Sequence, residues 1–249
     1  MAAGPPRRVI TVSDPAALAN AAAQRMLARI DANDGVLAIC LTGGSSPQRL
    51  YELLATDAWR NKIPWQRVHW FIGDERFVRP DDPLNNMTRA RRALLDRCAP
   101  AANVHAIPTD AASPDEAARR YERELKLFYG AEAFDPIRPL FELVLMGLGR
   151  DGHTASLFPG FPALGETERW VVGVPEAHVE PFVPRVTLTL PALGCCREML
   201  FEVAGAEKRA ILTRVLTGEN LPANRAHSSA GETIWLVDEA ALPENFGVR

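Results

Sequence analysis

The run at 141–149, FELVLMGLG, is apolar at almost every position until it breaks into glycine. A strand with one wet face alternates apolar and polar residues, whereas a run without alternation is covered on both faces. Strands covered on both faces belong mostly to parallel sheets, whose crossover connections are usually helices. This one segment predicts an α/β chain, and the rest of the sequence should supply the helices.

It does so in alternation. Strand-like segments fall at 9–12, 36–44, 68–76, 141–149, 170–174, 185–190, 199–205 and 233–238. Between them lie helical patterns with start signals. Asp14-Pro15 is an N-cap with proline at the first helical position, opening a helix to about Ile30. Ser46-Pro47 opens a second helix, with Leu50, Leu53 and Leu54 on one face. Residues 86–98 read as a third, and Ser113-Pro114-Asp115-Glu116 is a capping box for a fourth, to about Tyr129. A further helix is expected over about 206–217. The expected fold class is therefore α/β: a mostly parallel, doubly wound sheet with helices on both faces. No linker, repeat or low-complexity tract divides residues 1–249, and the Pro-rich piece at 159–184 reads as a loop region.

Composition excludes several classes of partner. The net charge of −3 argues against nucleic acid and against an anionic membrane surface. No apolar run reaches the roughly 18 residues of a membrane span. The N-terminus, MAAGPPRRVITVSDP, has an arginine pair but no apolar stretch after it, so neither a signal peptide nor a twin-arginine leader is expected. The four cysteines, Cys40, Cys98, Cys195 and Cys196, form no C-x-x-C pair and have no histidine cluster beside them. They read as reduced thiols of a cytoplasmic protein, with no metal site expected. Only three of the 28 basic residues are lysines, so each lysine is an exception to a strong arginine bias.

Ligands of open α/β sheets gather outside the carboxyl ends of the strands. Three strands here end in unusual loops. TGGSSP puts Gly43, Gly44, Ser45 and Ser46 before a helix, where backbone N–H groups and hydroxyls can meet an anion. It is not a Walker A loop, and an ordinary strand-to-helix turn would look the same. GDERFV sets Asp74, Glu75 and Arg76 at a strand end, able to bind hydroxyls and a phosphate or simply to face water.

The third loop, GLGRDGH, carries competing signals. Gly147, Gly149 and Gly152 have the spacing of a dinucleotide-binding loop. That loop needs a long helix directly after its third glycine, and Pro159 and Pro162 limit any helix there to about two turns. The other reading is a tight turn that presents Asp151 and His153. An imidazole, with an ordinary pKa near 6.5, takes and returns protons at neutral pH. A histidine capping the short helix remains an alternative. Two more basic residues suit a phosphate: Arg185, opening RVTLTL, and Lys208, in GAEKRAIL near a helix N-terminus. A cation is disfavoured there unless an anion is close.

With these loops in view, the sequence resembles the 6-phosphogluconolactonase family. TGGSSP, WFIGDERFVRPDDPLNNMTRARRALL, LVLMGLGRDGHTASLFPG, PRVTLTLPAL and GAEKRAIL follow that family's pattern in order, over nearly the whole chain. The resemblance implies a single α/β domain of the glucosamine-6-phosphate deaminase/ribose-5-phosphate isomerase type. It implies hydrolysis of 6-phospho-D-glucono-1,5-lactone to 6-phosphogluconate, in the oxidative pentose phosphate pathway, with no metal and no organic cofactor. In that frame His153 is the acid–base group. Asp151 or Asp74 holds its tautomer. Arg76, Arg185 and Lys208 surround the phosphate, and the Gly43–Ser45 backbone donates to the substrate. The related deaminases carry a glutamate where this chain has Phe158, which cannot relay a proton. A non-catalytic sugar-phosphate sensor would need an output segment, and none is evident.

Overall fold

In the computed structural model, which describes residues 7–244 and 246, nine strands form two sheets. Six of them make one fully parallel sheet: β1 (Arg7–Val12), β2 (Leu37–Leu41), β3 (Val68–Ile72), β5 (Phe141–Met146), β8 (Cys196–Val203) and β9 (Glu232–Asp238). Their spatial order is β1-β9-β8-β5-β2-β3. From β2 the chain winds outward to β3 at one edge, then returns to the other side of β2 to lay down β5. The loops leaving β2 and β5 therefore diverge, which opens a crevice between them at the carboxyl end of the sheet.

Burial follows the sequence pattern. Every residue of β2 is buried, and β5 is buried at all positions but Glu142. Register shows where the helices lie. Leu143 pairs with Ile39 and with Glu198, and Ile39 pairs with Trp70, so these side chains share one face. On that face the helix Pro15–Asp31 reaches Glu198 through Arg25. Phe71, one residue beyond Trp70, points the other way. It meets Phe128 and Tyr121 of the helix Pro114–Tyr129. Helices thus cover both faces, as expected.

The remaining strands depart from the expectation of one sheet. β4 (Asp74–Arg76), β6 (Val171–Val174) and β7 (Arg185–Leu188) form a small antiparallel sheet in the order β4-β7-β6. The stretch 68–76 is two strands, not one. At Gly73 the chain crosses from one sheet to the other: its N–H donates to Leu41 O at 2.9 Å, and its carbonyl accepts from Leu188 N at 2.8 Å. Val171, Val186 and Leu188 still belong to the core that underlies the large sheet.

Other boundaries shift as well. The strand expected over 36–44 stops at Leu41, and the one over 141–149 stops at Met146, because both glycine loops leave the ladder. The second helix starts at Ser45, with Gly44 as its N-cap. The helix over 86–98 contains a wider π turn at Arg91–Leu95. The helix after β8 runs only Arg209–Leu216, preceded by a 3₁₀ turn at Ala206–Lys208. The N-terminal leader reading rests partly on residues 1–6, which lie outside the described residues. No described helix is long and apolar enough to cross a membrane.

Candidate active site

The crevice predicted by the strand order is a cleft of about 680 Å³. The nine residues that the family resemblance implies for the site all line it: Gly43, Gly44, Ser45, Asp74, Arg76, Asp151, His153, Arg185 and Lys208. They come from the loops after β2, β5 and β8 and from two strands of the small sheet.

The β5 loop is a tight turn, not a cofactor loop. No helix follows Gly152; the segment Thr154–Leu157 closes on itself through a bridge. Gly149 N–H donates to His153 O at 2.8 Å, and Gly152 N–H donates to Gly149 O at 3.0 Å. Gly152 has φ 87°, a left-handed conformation that favours glycine. Gly149 is required for a different reason, since a side chain there would collide with the His153 ring. A helix-capping role for His153 is removed with the helix.

His153 is held by the carboxylate two residues before it. Asp151 Oδ1 accepts from the His153 backbone N–H at 3.0 Å and lies 2.5 Å from the ring Nδ1. Burial opposes the charge on Asp151, but the hydrogen bond and charge of His153 outweigh it and hold the carboxyl below its ordinary value. Asp151 is thus ionised at neutral pH, and Nδ1 is engaged with it. The ring leans on Phe158 at 4.9 Å between centroids, so Nε2 is the nitrogen left for chemistry. Asp74, the other candidate carboxylate, does not touch the ring. Its Oδ2 accepts from Ser156 Oγ at 2.6 Å.

Alternation along β4 sorts the GDER motif. Asp74 and Arg76 face the cleft, and Glu75 faces away. Glu75 is fully buried and accepts from the N–H groups of Arg76, Asn86 and Met87 at 2.8, 2.6 and 2.8 Å. Burial pushes its carboxyl up to about 8 against these bonds. It anchors the start of the helix that carries Asn86 and does not line the cleft, so it stands apart from the Asp74 and Arg76 of the same motif.

The cations fall into two groups. Arg76 lies directly opposite Arg185 across β4 and β7. Like charges so placed repel each other unless an anion joins them. Arg185 is almost fully buried, and burial lowers its pKa, with Asp74 opposing and Arg76 adding. Its donors reach Val183 O and Pro181 O at 3.1 and 2.8 Å. Arg76 donates to Leu84 O at 2.9 Å, while its Nε is buried without a partner among the described residues. Lys208 stands apart, on the β5–β8 side. Its Nζ donates to Leu148 O at 2.6 Å. Burial lowers its pKa, with Glu207 and Asp151 opposing and Arg150 adding.

Sequence reasoning missed four charged or amide-bearing lining residues: Asn86, Arg150, Glu180 and Glu202. Asn86 was hidden at a helix start and Arg150 between the fingerprint glycines. Glu202 carried a signal, a lone carboxylate inside the apolar run MLFEVAG. Among the described residues no group of three or more His, Cys, Asp or Glu could hold a metal ion.

Removing the space at Gly149 tests whether the turn positions His153. Gly149→Ala should push the ring off Asp151 and lower kcat on the order of 10²-fold, as misplacements of about 1 Å do. Circular dichroism should still report the native fold. Wild-type kcat in this variant would show that the turn does not position the ring.

Comparison with known proteins gives the family and the fold. Residues 13–235 match the family model described as glucosamine-6-phosphate isomerases/6-phosphogluconolactonase. A 6-phosphogluconolactonase from Synechocystis sp. is 43% identical over 208 residues, 82% of each chain. One from Nostoc sp. is 37% identical over 246 residues, covering 96% of this chain and 98% of that one. The solved structure of the 6-phosphogluconolactonase from Trypanosoma cruzi superposes with a TM-score of 0.83 at 28% identity, covering 96% of this chain and 97% of that one. This chain belongs to the glucosamine-6-phosphate isomerase/6-phosphogluconolactonase family.

Proposed function

We propose that the protein hydrolyses 6-phospho-D-glucono-1,5-lactone to 6-phosphogluconate, the lactonase step of the oxidative pentose phosphate pathway. The observation that carries this reading is the His153–Asp151 pair, opening onto the same cleft as the facing arginines Arg76 and Arg185. The cleft offers a proton acceptor and an anion site. A phosphorylated, already activated ester needs little more. The four cysteines are free thiols, which suits a cytoplasmic setting.

In this mechanism Asp151 fixes the tautomer of His153 with its proton on Nδ1. Nε2 takes a proton from water as the water oxygen bonds to the lactone C1. The tetrahedral intermediate collapses with cleavage of the C1–ring-oxygen bond, and the imidazolium returns its proton to that oxygen. The product acid then ionises. Arg76, Arg185 and Lys208 hold the 6-phosphate, where charge-assisted bonds are strong. The N–H groups at Gly43, Gly44 and Ser45 donate to the sugar or the phosphate. Asp74, bonded to Ser156, steadies the wall beside Arg185.

Deamination is disfavoured at the same place. Phe158 is buried against the His153 ring, so the carboxylate that would assist ring opening there is absent. The direct test generates the lactone from glucose 6-phosphate in situ and follows acid release above the spontaneous background. Release should scale with protein concentration. A rate indistinguishable from background would overturn the reading.

A further inference from the structure

Two glutamates stand four residues apart on β8. Four is an even step along a strand, so Glu198 and Glu202 leave the same face. Both are buried, at 1% and 4% exposure. Glu198 is answered by the helix beneath it: Arg25 Nε donates to Oε1 at 2.5 Å, and Arg29 Nε lies 3.6 Å from Oε2. Glu202 has no such answer. Neither of its carboxyl oxygens has a hydrogen-bond partner among the described residues. Its neighbour across the ladder is Leu236. The nearby Tyr51 hydroxyl is committed to Thr42, donating to its carbonyl at 2.7 Å and accepting from its N–H at 3.1 Å.

A carboxyl buried without a partner is strongly unfavourable, and folded chains rarely retain one with no counterpart. This one lines the active-site cleft, at the end of β8 closest to the Gly43–Ser46 loop and Lys208. Its missing partner therefore belongs to what enters the cleft. The partner is not the phosphate, which a carboxyl serves poorly beside the available cations. Nor does an ammonium suit it, since an ammonium can only donate and cannot answer an acid O–H. A hydroxyl fits, because it can both donate to a carboxyl oxygen and accept from an acid O–H. Burial pushes the Glu202 carboxyl up to about 8, so the acid form is available at neutral pH.

We propose that Glu202 is a substrate-binding residue that hydrogen-bonds a ring or chain hydroxyl of the sugar acid, selecting polyhydroxylated ligands over bare phosphates. This assignment rests on the lactonase reading and adds to it the group that reads the sugar. Glu202→Gln keeps one donor and one acceptor; Glu202→Leu keeps neither.

The test compares wild type, E202Q and E202L by titration calorimetry with 6-phosphogluconate and with inorganic phosphate. E202L should bind 6-phosphogluconate about tenfold or more weakly, the scale of one lost hydrogen bond to a buried polar group. Its affinity for inorganic phosphate should stay within about twofold of wild type, and E202Q should recover most of the loss. A role confined to the fold would not separate the two ligands. Unchanged binding of 6-phosphogluconate by E202L, or equal loss of both ligands, overturns the assignment. A crystal structure of the wild type with 6-phosphogluconate gives an answer that does not depend on the variants folding. A sugar hydroxyl within about 3.2 Å of Glu202 supports the assignment. A carboxyl answered only by water overturns it. Wild-type lactonase activity with an unaffected E202L rejects this assignment alone, whereas a wild type with neither activity nor 6-phosphogluconate binding rejects the lactonase reading with it.

Discussion

Replacing His153 by alanine should lower kcat by about 10²–10⁴-fold, the usual contribution of one positioned acid–base group. At about 1.36 kcal/mol per tenfold, that is roughly 2.7–5.4 kcal/mol of transition-state stabilisation. KM should change little, because the imidazole acts on water and the ring oxygen rather than on the groups that anchor the substrate. The geometry makes the forecast specific. Asp151 occupies Nδ1, so the ring has one working nitrogen, and the residue lines the cleft. The competing account is structural: the ring packs on Phe158, and its loss would loosen the loop. The two accounts separate cleanly. A structural histidine predicts a lower melting temperature with turnover kept; a proton carrier predicts the reverse. Near-normal turnover would falsify the role.

The parts of this site that were legible in the sequence are the parts fixed locally. A strand that ends in glycine and polar residues marks a loop at a sheet's carboxyl end, whatever the rest of the chain does. That is why TGGSSP, GDERFV and GLGRDGH were all found. The choice between Asp151 and Asp74 stayed open in the sequence, although the contact on which it turns is local too. An aspartate two residues before another residue commonly accepts that residue's backbone N–H, and here the same oxygen takes the ring as well. What escaped was set by partners far along the chain. Nothing in VVGV or RVTL says that these strands pair antiparallel with each other rather than joining the large sheet, and the pairing of RVTL with DER joins residues more than 100 positions apart. The exit of the chain at Gly73 was hidden for the same reason: its hydrogen bonds go to Leu41 and Leu188. Once β4 is known to be a strand, its period of two assigns Asp74 and Arg76 to the cleft and Glu75 to the interior without further information. Glu202 shows the limit from the other side. Its isolation in an apolar run was visible, but only the fold puts that run at the cleft, where an unanswered carboxyl has meaning.

The second large effect is expected at Lys208. Its ammonium has three donors, and one goes to Leu148 O. Two are left for a ligand. A hydrogen bond to a charged group contributes about 1.5–3 kcal/mol, so Lys208→Ala should raise KM for the phosphorylated lactone by roughly 10–150-fold. Loss of the bond to Leu148 confounds a simple reading, because that carbonyl lies in the loop that carries His153. A disturbed loop would impair every substrate, with or without a phosphate. Unphosphorylated gluconolactone therefore serves as the internal control: it meets the same His153 but has nothing for Lys208 to hold. KM for the phosphorylated substrate should rise far more than for the plain lactone, and inhibition by inorganic phosphate should weaken in parallel. Equal damage to both substrates would place Lys208 among the supports of the loop and leave Arg76 and Arg185 to hold the phosphate. The arrangement of the cations alone points to that outcome, since the two arginines already face each other across β4 and β7 while Lys208 belongs to the opposite group. Burial decides the expectation the other way. A lysine sunk beside Arg150, with its charge disfavoured by that burial, gains most from an anion brought within reach.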